Sequence, residues 1–162
     1  MKKNKVDKIK CNCKPFLPLD FQDKEIIWVD KTFIKDHVTS FFHVHLNMGS
    51  IIKKNIKKIG ISENEHDYKL ILTSEKSLFG TDIYFEIGNK IKYKNTIKMS
   101  GIFHTKVFEG PLRNVLKRKE EMIQYMNGKG KKITEIYYFY ATCPSCARKF
   151  GKNYVVIFAK EK

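Results

Sequence analysis

From residue 25 onward the chain alternates apolar runs with polar breaks, and the period of each run sets the element it predicts. Residues 25–30, Glu-Ile-Ile-Trp-Val-Asp, are β-branched and aromatic and read as a short strand. Over 41–59, Val44, Met48, Ile52, Ile56 and Ile59 recur at helical spacing with lysines between them. Ser40 is available as N-cap and Gly60 as terminator. Strands are predicted at 68–74 and 82–87, separated by the turn region Ser-Leu-Phe-Gly. A long strand follows at 96–108, kinked or bulged at Gly101. Gly110-Pro111 breaks it. Residues 112–127 then form a helix with Leu112, Val115, Leu116, Met122, Ile123 and Met126 on one face. The last two strands, 133–141 and 153–159, are joined by a Cys-Pro-Ser-Cys loop.

Strand–helix–strand–strand therefore occurs twice, at about 25–88 and 96–160, after a polar arm and lead-in at 1–24. The pattern predicts an α+β fold, an antiparallel sheet covered on one face by two helices, its halves related by a pseudo-two-fold. A cleft between such halves is a natural ligand site. Nothing in the pattern sets an oligomeric state.

Composition changes this picture little. At 162 residues and 42% apolar content one domain with a real core is expected. No apolar run is long enough for a bilayer, and the basic N-terminus lacks an apolar segment after it, so an intracellular, cytoplasmic protein away from membranes is expected. The net charge of +15 invites a nucleic-acid reading, but it comes from 29 Lys against 3 Arg, scattered along the chain. Lysine, isoleucine and asparagine share AT-rich codons, and arginine, the residue of bidentate base and phosphate contacts, is scarce. The charge reads as a solvated surface, against nucleic acid as partner.

The stretch 99–125, MSGIFHTKVFEGPLRNVLKRKEEMIQY, followed by 136–142, IYYFYAT, resembles the GyrI-like small-molecule-binding domain. Phe108-Glu109-Gly110-Pro111 matches that family's Gly-Pro turn opening the second helix, and Tyr137-Tyr138-Phe139-Tyr140 matches its aromatic strand. Element order extends the resemblance to 25–160, though its specific part lies in 99–160. The resemblance implies the duplicated fold and a standalone binder of small, often cationic or amphipathic, organic molecules; a subset of the family hydrolyses reactive ligands. This chain has Tyr138 near the place where many drug-binding members carry a carboxylate, and a longer Cys-bearing loop after the strand.

The candidate ligand residues are Trp28, Tyr84, Phe108, Tyr138 and Tyr140. On a strand, Tyr138 and Tyr140 share one face and Tyr137 and Phe139 the other, so one set lines the cleft and the other packs under the helices. If the protein is a hydrolase, Glu109 or Glu86 would serve as general base. No nucleophile elbow, phosphate loop or dinucleotide fingerprint is present. The four cysteines form two close pairs, Cys11/Cys13 and Cys143/Cys146, and two such clips predict a structural Cys₄ zinc tying the arm to the last hairpin. A redox dithiol needs the first Cys at a helix start, and here the motif is expected in a loop. His37 and His104 stand alone, and His43-Val44-His45 shares a face only on a strand. A third alternative is a zinc-stabilised basic interaction module.

Overall fold

The computed structural model describes residues 15–41, 44–45, 47–59, 70–77, 80–88 and 93–162. Cys11, Cys13, His43 and Gly60 lie outside the described residues. The strands are β1 (Glu25–Phe41), the short β2 (Val44–His45), β3 (Ile71–Ser77), β4 (Gly80–Glu86), β5 (Thr96–Glu109), β6 (Ile133–Tyr140) and β7 (Tyr154–Glu161). The helices are α1 (Met48–Ile59), α2 (Val115–Gly128) and α3 (Pro144–Phe150). All recorded pairings are antiparallel, in the order β2-β1-β4-β3-β6-β7-β5, and β5 returns to pair with β1. Six long strands thus close a barrel-like ring. Exchanging β1 with β5, β3 with β6 and β4 with β7 leaves its set of neighbours unchanged. The face that the helices cover is the outside of that ring.

The first strand is much longer than 25–30. Its period-two alternation breaks at a bulge, where Trp28 pairs with Gly101 but Lys31 pairs with Met99, so Val29 and Asp30 oppose the single residue Ser100. Asp30 takes φ 50° there, and its amide donates to Ser100 Oγ at 2.8 Å. Gly101, at φ 140°, accepts a conformation that side-chained residues rarely adopt. The predicted irregularity is therefore present, with its extra residue on β1 rather than on β5. Before the bulge even-numbered residues face inward (Ile26, Trp28); after it odd-numbered ones do (Phe33). That switch puts Trp28 and Phe33 in one core.

Helix α1 starts at Met48, not 41, because β1 continues through Phe41. Asn47 rather than Ser40 precedes its first turn: the Asn47 carbonyl accepts from the Ile51 amide, and its Oδ1 accepts from the Thr39 amide at 3.0 Å. Met48, Ile51, Ile52, Ile56 and Ile59 then return every three or four residues; Ile56 is buried, and the other four pack with Ile34, Val38, Ile83, Phe85 and Ile87. Helix α2 lays Val115, Met122, Tyr125 and Met126 on Phe108, Tyr138, Val155 and Ile157. Its inward face differs from the predicted one: Leu116 is exposed, Ile123 is not in the cluster, and Tyr125 and the buried Arg118 take their places. The third cluster, inside the ring, gathers Trp28, Phe33, Leu72, Tyr84, Met99, Phe103, Tyr137, Phe139, Val156 and Phe158. Phe16 and Phe21 of the lead-in pack on Phe139, and Phe21 also on Phe158. The Cys-Pro-Ser-Cys segment, expected as a loop, forms α3. No helix among the described residues is long and apolar enough to cross a membrane.

Helix α1 is held to the barrel by one buried polar contact as well as by packing. Asn55, 1% exposed, donates to Asp36 Oδ2 at 2.9 Å and to the Ile51 carbonyl at 3.0 Å. Burial pushes the Asp36 carboxyl up, but hydrogen bonds from Asn55 and the His37 amide, with the charge of Lys54, outweigh it and hold the group below its ordinary 3.8. A carboxylate depressed in the folded state stabilises it above the unfolded value and loses that contribution as pH falls through the folded value. Urea unfolding should therefore show stability declining below about pH 3.8, with Asn55→Ala lowering it by about 1–3 kcal/mol at neutral pH and flattening the acid decline. An unchanged acid decline in that variant contradicts the assignment.

Candidate functional site

Strand alternation sorts the side chains of β4 and β6 onto two faces. Asp82, Tyr84 and Glu86 point into the ring from β4, as do Glu135, Tyr137 and Phe139 from β6, while Ile83, Phe85, Ile136, Tyr138 and Tyr140 point out under the helices. The two phenols meet inside: the rings of Tyr84 and Tyr137 are 5.6 Å apart and edge-on. Tyr137 donates to Glu135 Oε2 at 2.6 Å, and Tyr84 donates to Asp82 Oδ2 at 3.4 Å. Burial pushes both phenols above their ordinary range, reinforced for Tyr84 by the charges of Asp82 and Glu135 and for Tyr137 by its bond to Glu135. Both are therefore neutral donors at physiological pH.

The carboxylates differ in how they are matched. Asp82 takes Lys35 Nζ at 2.9 Å and faces His37 Nδ1 at 3.3 Å. Glu86 takes Lys31 Nζ at 2.6 Å on one oxygen and the Leu70 amide at 3.0 Å on the other. Glu135 has only the Tyr137 hydroxyl and, among the described residues, no ion pair. The lysines also lie over aromatic rings, Lys31 5.5 Å from the Trp28 centroid and Lys35 5.8 Å from that of Tyr84, so this wall already seats cations on π-faces. Beside it the ring is weakly closed. β3 and β6 pair only through Leu72–Phe139 and Thr73–Tyr138, and the segments carrying Ser74 and Tyr137 continue without pairing to one another.

Of the residues singled out in the sequence, Trp28 and Tyr84 lie on this inner wall. Tyr138, Tyr140 and Phe108 lie together in the outer cluster beneath α2, the first two with rings stacked at 6.5 Å. Glu86 sits beside the wall in its pairing with Lys31. Glu109 ends β5, exposed, 3.5 Å from Lys152 Nζ. Of the two faces of the aromatic strand, Tyr137 and Phe139 are the set that lies inside. Asp82, Glu135, Lys31 and Lys35 are additional to the sequence-predicted residues. A signal for the two acids exists: Asp82-Ile83-Tyr84 and Glu135-Ile136-Tyr137 repeat acid-Ile-Tyr on two strands, and period two puts each acid on its tyrosine's face.

Cys143 is the N-cap of α3, Pro144 its first residue, and Cys143 Sγ accepts from the Cys146 amide at 3.3 Å. The strand–Cys–helix start that a redox reading requires is thus present, but its parallel βαβ surroundings are missing, since the recorded pairings are antiparallel. Both residues are thiols in the structure. Burial, then hydrogen bonding and charge from Cys143, push the Cys146 thiol up to about 11.

A second ligand-type cluster lies on the outside of the ring. Glu25, His104 and Glu161 bring three ligating atoms within 4.8 Å of one another. His104 Nε2 is 2.9 Å from Glu161 Oε2 and 3.8 Å from Glu25 Oε2, while Lys131 Nζ contacts both Glu161 oxygens at 2.9 and 3.0 Å. The His104 ring is 2% exposed, and its Nδ1 is buried with no partner among the described residues. Both acceptors face Nε2, so the neutral ring carries its proton there. A metal on Nε2 would move that proton to Nδ1, where no described residue accepts it. The His104 hydrogen bond, then that of Lys131, holds the Glu161 carboxyl below its ordinary range. As arranged, these groups clamp β1, β5 and β7 to the segment after α2.

The fold is a closed antiparallel α+β ring with helices outside and a polar, aromatic wall within, an architecture shared with known structures. A hydrolase from Listeria innocua matches at a TM-score of 0.57 and 10% identity, over 88% of this chain and 92% of the other. An uncharacterized conserved protein from Listeria innocua matches at 0.62 and 12%, over 87% and 92%. SAV2435, bound to tetraphenylphosphonium, matches at 0.50 and 13%, over 88% and 94%. At these identities the likeness is one of fold. No curated protein matches by sequence. The family model described as bacterial hydrolase matches residues 2–161, and the chain belongs to that family.

The tautomer of His104 is directly observable. Long-range ¹H–¹⁵N spectra above pH 8 should show His104 protonated at Nε2, unchanged by added zinc. An Nδ1–H tautomer, or a zinc-dependent switch to it, would contradict the clamp and support a metal site.

Proposed function

We propose that the protein is a GyrI-like binder of a small amphipathic organic cation, held on the inner wall between the two halves of the ring. The observation that carries this reading is Glu135, a carboxylate matched, among the described residues, by one phenol and no cation, beside the edge-on pair Tyr84 and Tyr137. An organic cation is weakly hydrated and gains from a carboxylate and π-faces together, whereas a neutral ligand would leave that charge unused. Trp28 and Tyr84 supply ring surface, and Lys31 and Lys35, already over those rings, are the groups that a ligand would displace. The organic cation bound to SAV2435, a protein of the same fold, supports the same class of ligand. Tyr138, Tyr140 and Phe108 serve this reading as the packed layer behind the wall.

The family's description supports a second reading, hydrolysis of a reactive ligand in the same place. Glu86 has both oxygens bonded and Glu109 is exposed beside Lys152. Glu135, with one partner, is then the stronger candidate for general base, and Tyr137 would orient the substrate.

The thiols support a structural zinc bound by Cys11, Cys13, Cys143 and Cys146. Cys143 and Cys146 sit on one turn with an amide directed at sulfur, the arrangement of half a Cys₄ site. In a reducing compartment two closely spaced cysteine pairs favour metal over disulfide.

Calorimetric titration with tetraphenylphosphonium should show saturable binding, weakened roughly tenfold or more by Glu135→Gln and by Tyr84→Ala, and little changed by Tyr138→Phe. Unaltered affinity in Glu135→Gln rejects the cation reading. Release of product from a p-nitrophenyl ester, lost in that variant, would favour hydrolysis. Elemental analysis should find about one zinc per chain, lost in Cys143→Ser. Metal-free protein with four reactive thiols rejects the zinc.

A further inference from the structure

Helix α2 packs an otherwise apolar face on the sheet, yet that face carries an arginine. Arg118 is 4% exposed. Its Nη2 donates to the Glu109 carbonyl at 3.0 Å, while Nη1 is buried with no hydrogen-bond partner among the described residues. A guanidinium carries five donors and does not deprotonate in proteins, so this one is a buried charge with part of its donor fork unused. No carboxylate among the described residues pairs with it within 4 Å; Glu121 and Tyr140 act on it only through space. Burial pulls the group below its ordinary range, the direction expected of a cation without a counter-charge.

The surroundings favour an anion there. Arg118 is the fourth residue of α2, its guanidinium reaching back to the turn before the helix. The first helical turn has no acidic residue, and the Asn114 side chain does not cap it, so the positive end of the helix lies on the same side. Gly110, at φ 114°, keeps that turn open: a Cβ there would lie 3.2 Å from Nη2. Nearby Tyr140 is a neutral phenol, pushed up to about 12 by burial and by the charge of Glu75, and can donate. Glu75 and Glu121 oppose an anion at longer range. The site lies on the outside of the ring, across the sheet from Tyr84 and Tyr137.

We propose that Arg118, at the start of α2, binds a small oxyanion, a phosphate or a carboxylate, which completes the guanidinium fork through Nη1.

The test is thermal unfolding of the full chain in sodium phosphate, sodium acetate and sodium chloride at matched ionic strength. A ligand of the folded state raises the unfolding temperature with its concentration. Phosphate or acetate should give a saturable rise beyond that of chloride, and whichever does so identifies the oxyanion class. The extra rise should vanish in Arg118→Met, fall several-fold in Arg118→Lys, which keeps stem and charge but not the fork, and persist in Lys117→Ala. If Arg118→Met does not fold, Arg118→Lys decides. An oxyanion effect no greater than that of chloride, or one retained in Arg118→Lys, overturns the proposal; the first outcome leaves Nη1 to an ordered water and the second to scattered surface lysines.

Discussion

A β-bulge between Trp28 and Lys31 sets which side of the protein each residue of β1 faces. Strand side chains alternate strictly, so without the extra residue Trp28 and Phe33 would point to opposite sides of the sheet. With it, the first half of β1 pairs with β5 and the second half with β4, and both halves feed one inner core. The same switch aims Lys31 and Lys35 at Glu86 and Asp82 inside the ring and leaves Ile34 and Val38 outside to receive α1. Gly101 across the bulge and the Asp30–Ser100 bond hold it in place. Ring closure, the inner wall and the seat of α1 all follow from this one insertion.

That constraint also explains where the sequence was hard to read. The two-fold order of strand and helix, the five later long strands and the helix after Gly110-Pro111 are legible, because period two and period 3.6 persist through them. Strand β1 is not: its alternation reverses parity at Val29-Asp30, so only its first six residues look like a strand, and residues 31–41 lose their pattern. The start of α1 moves for the same reason, since Phe41 belongs to the strand. Cys143-Pro144-Ser145-Cys146 carried the marks of a helix start, an N-cap followed by Pro, but is short enough to read as a turn. Aromatic count does not distinguish Tyr138 and Tyr140 from Tyr137 and Phe139, whereas the acid-Ile-Tyr repeat, a local pattern, marks the pair that meets inside. The Glu25–His104–Glu161 cluster has no local signal, because its members are joined only by barrel closure.

Lysine plays two roles that composition alone merges. Those on α1 between the inward isoleucines, Lys53, Lys54, Lys57 and Lys58, are exposed and contribute four of the positive charges. Lys31, Lys35 and Lys131 are instead structural counter-ions, each facing a carboxylate that strand pairing delivers. Against that background the residues left unmatched are informative. Among the described residues Glu135 is a carboxylate short of a cation and Arg118 a cation short of an anion, on opposite sides of one sheet. Buried or half-buried charges without partners cost stability, and each marks a place where a ligand could complete the pairing.

The central claim, a cation on the inner wall, can be read from one chromophore. Trp28 is the only tryptophan in the chain and packs inside the ring, 4.1 Å from Phe103 by ring centroid. Titrating the protein with tetraphenylphosphonium while recording Trp28 emission should give a saturable change whose midpoint moves to higher concentration in Glu135→Gln. Binding detected by calorimetry with no change in Trp28 emission would place the ligand elsewhere and contradict the account.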